Sequence, residues 1–364
     1  MKSKFKLPGI FTLGIFLAIG CLMPILVQAD TPPGWRTECV GYYQLSFPGE
    51  VEVALTRPDA IDVVGGDNRF TDGSRAPDSS LHIGDPYFVT DLQSTDVFKK
   101  FKKKIEIDMA RDKKKLIAKG KGDTAKSIRP YPVSIPNTFG WIYGDYGANI
   151  FLQRNQHIYW HTLTITPKKE SGTLLVDQFL KQFRARDLFE IPLETGLCIP
   201  YGFILTDDSR KNRSIAVTFR LKAHPDVDIF FEDVSVKIPY SIDSKTIHDE
   251  TKKEIEDFWN DSSNIRDYKQ VVLDKPKFRV IDLAGQPGYA TLGTITRRDD
   301  DEDFGYVAYA QGNYNAEKNE KNSQDLMLYV IRTAAHTRGT PMSKNDLLKL
   351  AEQIAASVKR RMPQ

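Results

Sequence analysis

The chain has 364 residues, 51 of them basic and 48 acidic, and 40% are hydrophobic. That length suits two domains with ample core. The near-balance of charge gives no global field toward nucleic acid or anionic lipid, so neither is an expected partner.

Residues 1–29 read as a signal peptide. Lys2, Lys4 and Lys6 form a basic start, Ile10 to Val27 is a mostly apolar run broken by Pro24, and Val27-Gln28-Ala29 is a small-residue cleavage signature. The expected mature N-terminus is Asp30. Two alternatives stay open. The run is long enough for an uncleaved anchor, and Cys21 offers a lipidation site, although Ala18 fits that motif poorly. Cleavage predicts a periplasmic protein with no stable membrane anchor. Loss of the three signal lysines leaves 48 basic residues against 48 acidic ones.

The mature chain opens on Thr37 to Gly49, which reads as a strand with a slip near Gly41 and a Pro48-Gly49 turn. Thr195 to Leu205 echoes it, with a cysteine, a tyrosine and an apolar run in the same order. Each stretch reads as the opening of a domain, the first spanning 30–190 and the second 191–364. Cys39 and Cys198 are the cysteines left after export. An oxidising compartment favours a bridge between them, and two buried, unpaired core cysteines are the alternative.

Val51, Val53 and Leu55 alternate with polar or small residues as a half-buried strand. Gly65 to Ser80 is a loop by composition. Ser94 to Lys119 is a helix with Phe98, Phe101, Ile105, Met109 and Leu116 on one face. Its other face is lysine-rich and reads as solvated, because Glu106, Asp108 and Asp112 interrupt the run. Thr138 to Thr166 is rich in aromatic strands, and Leu174 to Leu188 reads as a short helix.

In the second half, a polar hairpin at Asp207 to Arg213 leads into strands at Ile215–Leu221 and from Pro225 onward. Thr246 to Phe258 reads as a helix, and Ala284 to Gly288 as a glycine turn. Tyr289–Thr296 and Phe304–Ala310 are strands joined by an acidic loop, with a further strand at Asp325–Thr333. Ser343 and Asp346 form a capping box for a final helix, whose last turn holds Lys359, Arg360 and Arg361. Strands and helices do not alternate regularly, which predicts an α+β fold of two domains, each an antiparallel sheet covered by helices.

Chemical signatures are sparse. The chain lacks G-x-S-x-G, H-E-x-x-H, a phosphate loop and G-x-G-x-x-G. His157 and His161 are four apart in a strand, about 13 Å along it, too far to share a metal. The loop Asp299-Asp300-Asp301-Glu302-Asp303 lacks the glycine and spacing of a calcium loop. It reads as a solvated turn, or as a partner contact through Asp299, Asp300, Asp301 and Asp303. No cofactor, metal or catalytic residue is expected, so the protein reads as a binding protein and not an enzyme. A periplasmic solute-binding or envelope protein is the alternative.

Five stretches in order carry a family resemblance. They are Cys39-Val40-Gly41-Tyr42-Tyr43 with Phe47-Pro48, Gly196-Leu197-Cys198, His224-Pro225-Asp226-Val227, Ala284-Gly285-Gln286-Pro287-Gly288, and Ser357-Val358-Lys359-Arg360-Arg361. Together they resemble the immunity proteins that protect bacteria from type VI secretion lipase effectors, in particular the partners of the fourth class of these lipases. Tyr289-Ala290 stands where the family pattern has acidic residues, and Tyr306 where it has a tryptophan. The resemblance implies a periplasmic protein of two α+β domains. It would bind a cognate phospholipase effector and inhibit it through a large complementary surface, with no catalytic residues of its own.

Overall fold

The computed structural model describes residues 32–58, 67–76, 81–143, 147–164, 172–206, 213–235, 244–261, 268–312 and 324–361. The signal segment lies outside the described residues, as do nearly all of the 207–213 hairpin and parts of the 65–80 loop. Thr31–Gln364 forms one compact unit.

Among the described residues the first half contributes twelve strands. They are β1 (Arg36–Val40), β2 (Tyr43–Phe47), β3 (Val51–Val53), β4 (Leu55–Thr56), β5 (Asn68–Arg69), β6 (Leu81–Ile83), β7 (Asp85–Leu92), β8 (Ile128–Pro130), β9 (Thr138–Tyr143), β10 (Gly147–Arg154), β11 (His157–Thr164) and β12 (Phe183–Ala185). Helices α1 (Thr95–Ala118) and α2 (Gly122–Ser127) follow β7, and α3 (Gly172–Gln182) follows β11. The second half adds β13 (Gly196–Ile199), β14 (Gly202–Leu205), β15 (Arg213–Leu221), β16 (Val227–Ser235) and α4 (Ser244–Asn260). Next come β17 (Tyr268–Leu273), β18 (Arg279–Leu283), β19 (Gln286–Arg297), β20 (Glu302–Ala310) and β21 (Gln324–Arg332). The chain closes with α5 (Lys344–Ser357) and β22 (Lys359–Arg360).

The fold is α+β, and among the described residues the pairings are antiparallel except for β4 with β7. A long sheet runs β17-β19-β20-β21-β16-β15-β6-β7-β11-β10-β9-β8, with β18 beside β17 on the same flank of β19. Hydrogen bonding crosses residue 190 in several places. Strand β15 pairs with β3 and β6, and β2 pairs with β22.

Helices cover the sheet on both faces, and side-chain alternation decides which residues meet which helix. In β20 and β21, Tyr306, Ala308, Leu328 and Val330 share the main core with α5 and with Leu45 and Phe47. Their neighbours Val307, Tyr329 and Ile331 pack with Ile255 and Trp259 of α4. In β9 to β11, Phe139, Phe151 and Ile158 meet Phe98 and Phe101 of α1. Ile142, Ile150 and Tyr159 cluster instead with Val176 and Phe179 of α3. Ser94 caps α1 by accepting from the Val97 N–H, and Ser343 caps α5 from Asp346.

Four local readings change. The opening stretch is a hairpin and not one strand. Gly41 has φ +57, which lets a two-residue turn reverse the chain between Val40 and Tyr43. The turn after β18 is Ala284-Gly285 alone, both at positive φ, and Gln286 already pairs within β19. Helix α3 stops at Gln182, and Phe183 begins a strand. Helix α5 stops at Ser357, so Lys359 and Arg360 pair with β2 and do not complete a last helical turn.

Candidate functional site

The two cysteine stretches fold as back-to-back hairpins, β1–β2 and β13–β14. The turn of the first meets strand β13 of the second: the Gly41 N–H donates to the Cys198 carbonyl at 2.8 Å, and the Cys198 N–H returns to the Gly41 carbonyl at 2.9 Å. Cys39 and Cys198 form a disulfide between them, with a Cα–Cα distance of 5.7 Å. A Cβ on Gly41 would fall 2.2 Å from Asp233 Oδ2. That carboxylate pairs with Arg213 and accepts from the Tyr42 N–H, so the position excludes a side chain.

Two buried arginines hold the linker between the halves. Arg186 pairs with Glu38 and donates to the carbonyls of Gly202, Asp187, Glu190, Cys39 and Ile199. Glu38 also accepts from the Cys39 and Phe189 N–H groups. Arg361 donates to the carbonyls of Gly196, Pro192 and Glu194 and lies 3.2 Å from Cys198 Sγ. Burial pushes its pKa down to about 10. These side chains satisfy backbone acceptors in a strand-poor linker, which is an architectural task.

The acidic residues separate into two kinds. Asp299, Asp300 and Asp301 are exposed at the tip of the β19–β20 hairpin, where Asp300 sits at φ +67. Asp300 lies 2.7 Å from Lys269 of β17, an exposed pair that adds little stability. Asp303 is buried at 1% exposure, pairs with Arg297 and accepts from the Ala334 N–H at 2.6 Å. It secures the strand end and is removed from the set of candidate contacts. Strand β17 beside this tip and β18 at the far end of β19 form the sheet edge, and Val272 and Val280 on them are 50% and 80% exposed.

His157 and His161 are buried and committed. Nδ1 of His157 donates to the Thr90 carbonyl at 2.6 Å and that of His161 to the Pro86 carbonyl at 3.2 Å. Their rings stack on Tyr201 and Tyr87. Burial lowers the His157 pKa, so its imidazole stays neutral. Among the described residues no three His, Cys, Asp or Glu side chains converge to hold a metal. No described helix is long and apolar enough to cross a membrane.

One carboxylate gives a pH signature. Burial pushes Asp325 up to about 6 against the hydrogen bonds from Gly312 and Tyr309, and Glu254 raises it further. The folded pKa then exceeds the unfolded value, so the native state binds this proton more tightly. The associated stability is full below about pH 4 and lost as pH rises through about 6. Asp325→Asn keeps an oxygen for the Gly312 N–H. It should raise stability by on the order of 2 kcal/mol at pH 8 and change it little at pH 4. Urea melts at the two pH values check this, and an equal change at both would contradict it.

Residues 190–362 match the family model of the Tle cognate immunity protein 4 C-terminal domain. The match covers just under half of the chain. The family boundary falls where the Arg186-held linker gives way to β13. No curated protein matches the chain. Three solved structures share the fold. The immunity protein TplEi of the type VI secretion system of Pseudomonas aeruginosa, complexed with the "L" peptide, aligns at TM-score 0.53 and 14% identity, over 91% of this chain and 99% of its own. Its apo form gives 0.52 and 14%, over 90% and 97%. A chain of the Tle4-Tli4 complex gives 0.54 and 15%, over 92% and 99%. At such identities the likeness speaks for the fold alone, and it extends through both halves.

Proposed function

We propose that this protein is a periplasmic immunity protein. It binds a cognate type VI secretion phospholipase effector and blocks it without catalysis of its own. The observation that carries this reading is the match of residues 190–362 to the Tle cognate immunity protein 4 C-terminal domain. The fold supports it over the rest of the chain, since structures of a type VI immunity protein and of a Tle4-Tli4 complex cover at least nine-tenths of it. In this reading residues 1–29 are the export signal, and 30–190 and 191–364 are its two domains. The Cys39–Cys198 bond forms after export and fixes the paired hairpins.

Asp299, Asp300 and Asp301 are the contact this reading favours. They are exposed on a hairpin tip, and rim charges act mainly on encounter rates. Changing all three to Asn should slow association with the effector several-fold at low salt and flatten its salt dependence. Stopped-flow binding measures this, and an unchanged on-rate at low salt leaves the tip a solvated turn. The function itself is tested by co-purification with a type VI secretion phospholipase effector of the producing cell. A stable complex is expected, and failure to bind that lipase would reject the assignment.

A further inference from the structure

Helix α1 carries a concentration of positive charge that the core does not explain. Its 24 residues hold nine basic and four acidic side chains, an excess of five, while the whole chain has a formal charge of only +3. Each acid is taken up by a basic neighbour on the same helix. Asp96 pairs with Lys99, Glu106 with Lys102, Asp108 with Arg111 and Asp112 with Lys115. Lys100, Lys103 and Lys114 have no carboxylate among the described residues within ion-pair distance.

These lysines are not scattered. At 3.6 residues per turn, Lys100, Lys103, Ile107, Ala110, Lys114 and Ala118 fall along the line opposite the buried Phe98, Phe101 and Met109. All six are exposed, and Ile107 is 57% exposed in the middle of the line. From Lys100 to Lys114 the line runs about 21 Å. Its one acid, Asp96, sits at the N-terminal end and is paired with Lys99, and the line holds no aromatic residue.

We propose that this outer face of α1 docks reversibly on a bilayer bearing anionic headgroups. The lysines meet the headgroups and Ile107 enters the interface. Charge complementarity picks an anionic occupant, and the form of the face picks a membrane over a protein. Protein interfaces are depleted in lysine and centre on aromatic or arginine anchors in pockets, none of which this face has. Lysines on flexible stems suit mobile headgroups, each adding to binding within a Debye length of the surface. The apolar side of α1 is already spent on the sheet, so docking is electrostatic and does not insert the helix.

The test is co-sedimentation of the purified protein with vesicles of phosphatidylcholine alone or with about one-third phosphatidylglycerol. Binding to the anionic vesicles at low salt, lost at high salt and absent from neutral vesicles, is the expected result. Lys100→Glu, Lys103→Glu and Lys114→Glu together should weaken it by about 100-fold. Unfolding of this triple variant should match that of the parent, since all three side chains are exposed. Ile107→Asp should cost several-fold by itself. Equal binding to both vesicle types, or anionic binding untouched by the triple variant, would overturn the proposal. So would absence of vesicle binding together with slower capture of a protein partner by that variant, which would give the face to a protein.

Discussion

Replacing Cys39 and Cys198 together by alanine is expected to lower the stability of the folded protein by about 4–5 kcal/mol. The bond spans 159 positions, so its removal frees a very long loop in the unfolded chain. Loop entropy grows slowly with length, but a loop of this size is near the upper end of the usual range. Both cysteines are buried, so the change also loosens their contact with Phe203. The local hydrogen bonds between Gly41 and Cys198 remain, which argues for a destabilised native fold and not a different one. Denaturant unfolding measures the loss, and the m-value should rise because the unlinked unfolded chain exposes more surface. A loss below about 1 kcal/mol would mean that the hairpins are held by their neighbours and the cross-link is incidental.

Arg186→Met is expected to cost a further 3–5 kcal/mol. The guanidinium is 2% exposed and serves one carboxylate and five backbone carbonyls. Methionine fills part of the volume and leaves those acceptors and the Glu38 charge buried without a donor. Arg186→Lys retains the charge, but three donors on a flexible stem cannot cover the fork's acceptors, so an intermediate loss is expected. Glu38→Gln should also destabilise, and the Arg186→Met, Glu38→Gln double variant should lose less than the sum of the two. Urea melts of the four proteins give the coupling. Strict additivity would show that the two side chains act separately.

The sequence made the apolar parts of this fold readable and hid its buried charges. Phe98, Phe101 and Met109 announced α1 because helical spacing places them on one face. The alternation in β15, β20 and β21 was equally open. Arg186 and Arg361 were hidden because each lies in a charged stretch, Arg184-Ala185-Arg186-Asp187 and Lys359-Arg360-Arg361, that reads as solvent-facing. Only a tertiary contact across 148 residues shows that Arg186 faces Glu38. The same ambiguity covered the acidic loop. Asp299 and Asp303 look alike in sequence, yet the hairpin register exposes the first and buries the second beside Arg297. Strand β17 was missed because an edge strand of six residues with Lys269 and Gln270 lacks a clear buried face. Pairings that cross residue 190, such as β3 with β15, were also hidden, since strand exchange leaves no local trace.

The central claim concerns inhibition, and it is tested most directly by titrating this protein into the phospholipase effector with which it co-purifies and following hydrolysis of phospholipid vesicles. The account predicts that activity falls linearly to zero at one equivalent and that the protein alone hydrolyses nothing. Undiminished lipase activity in the presence of excess folded protein would contradict it.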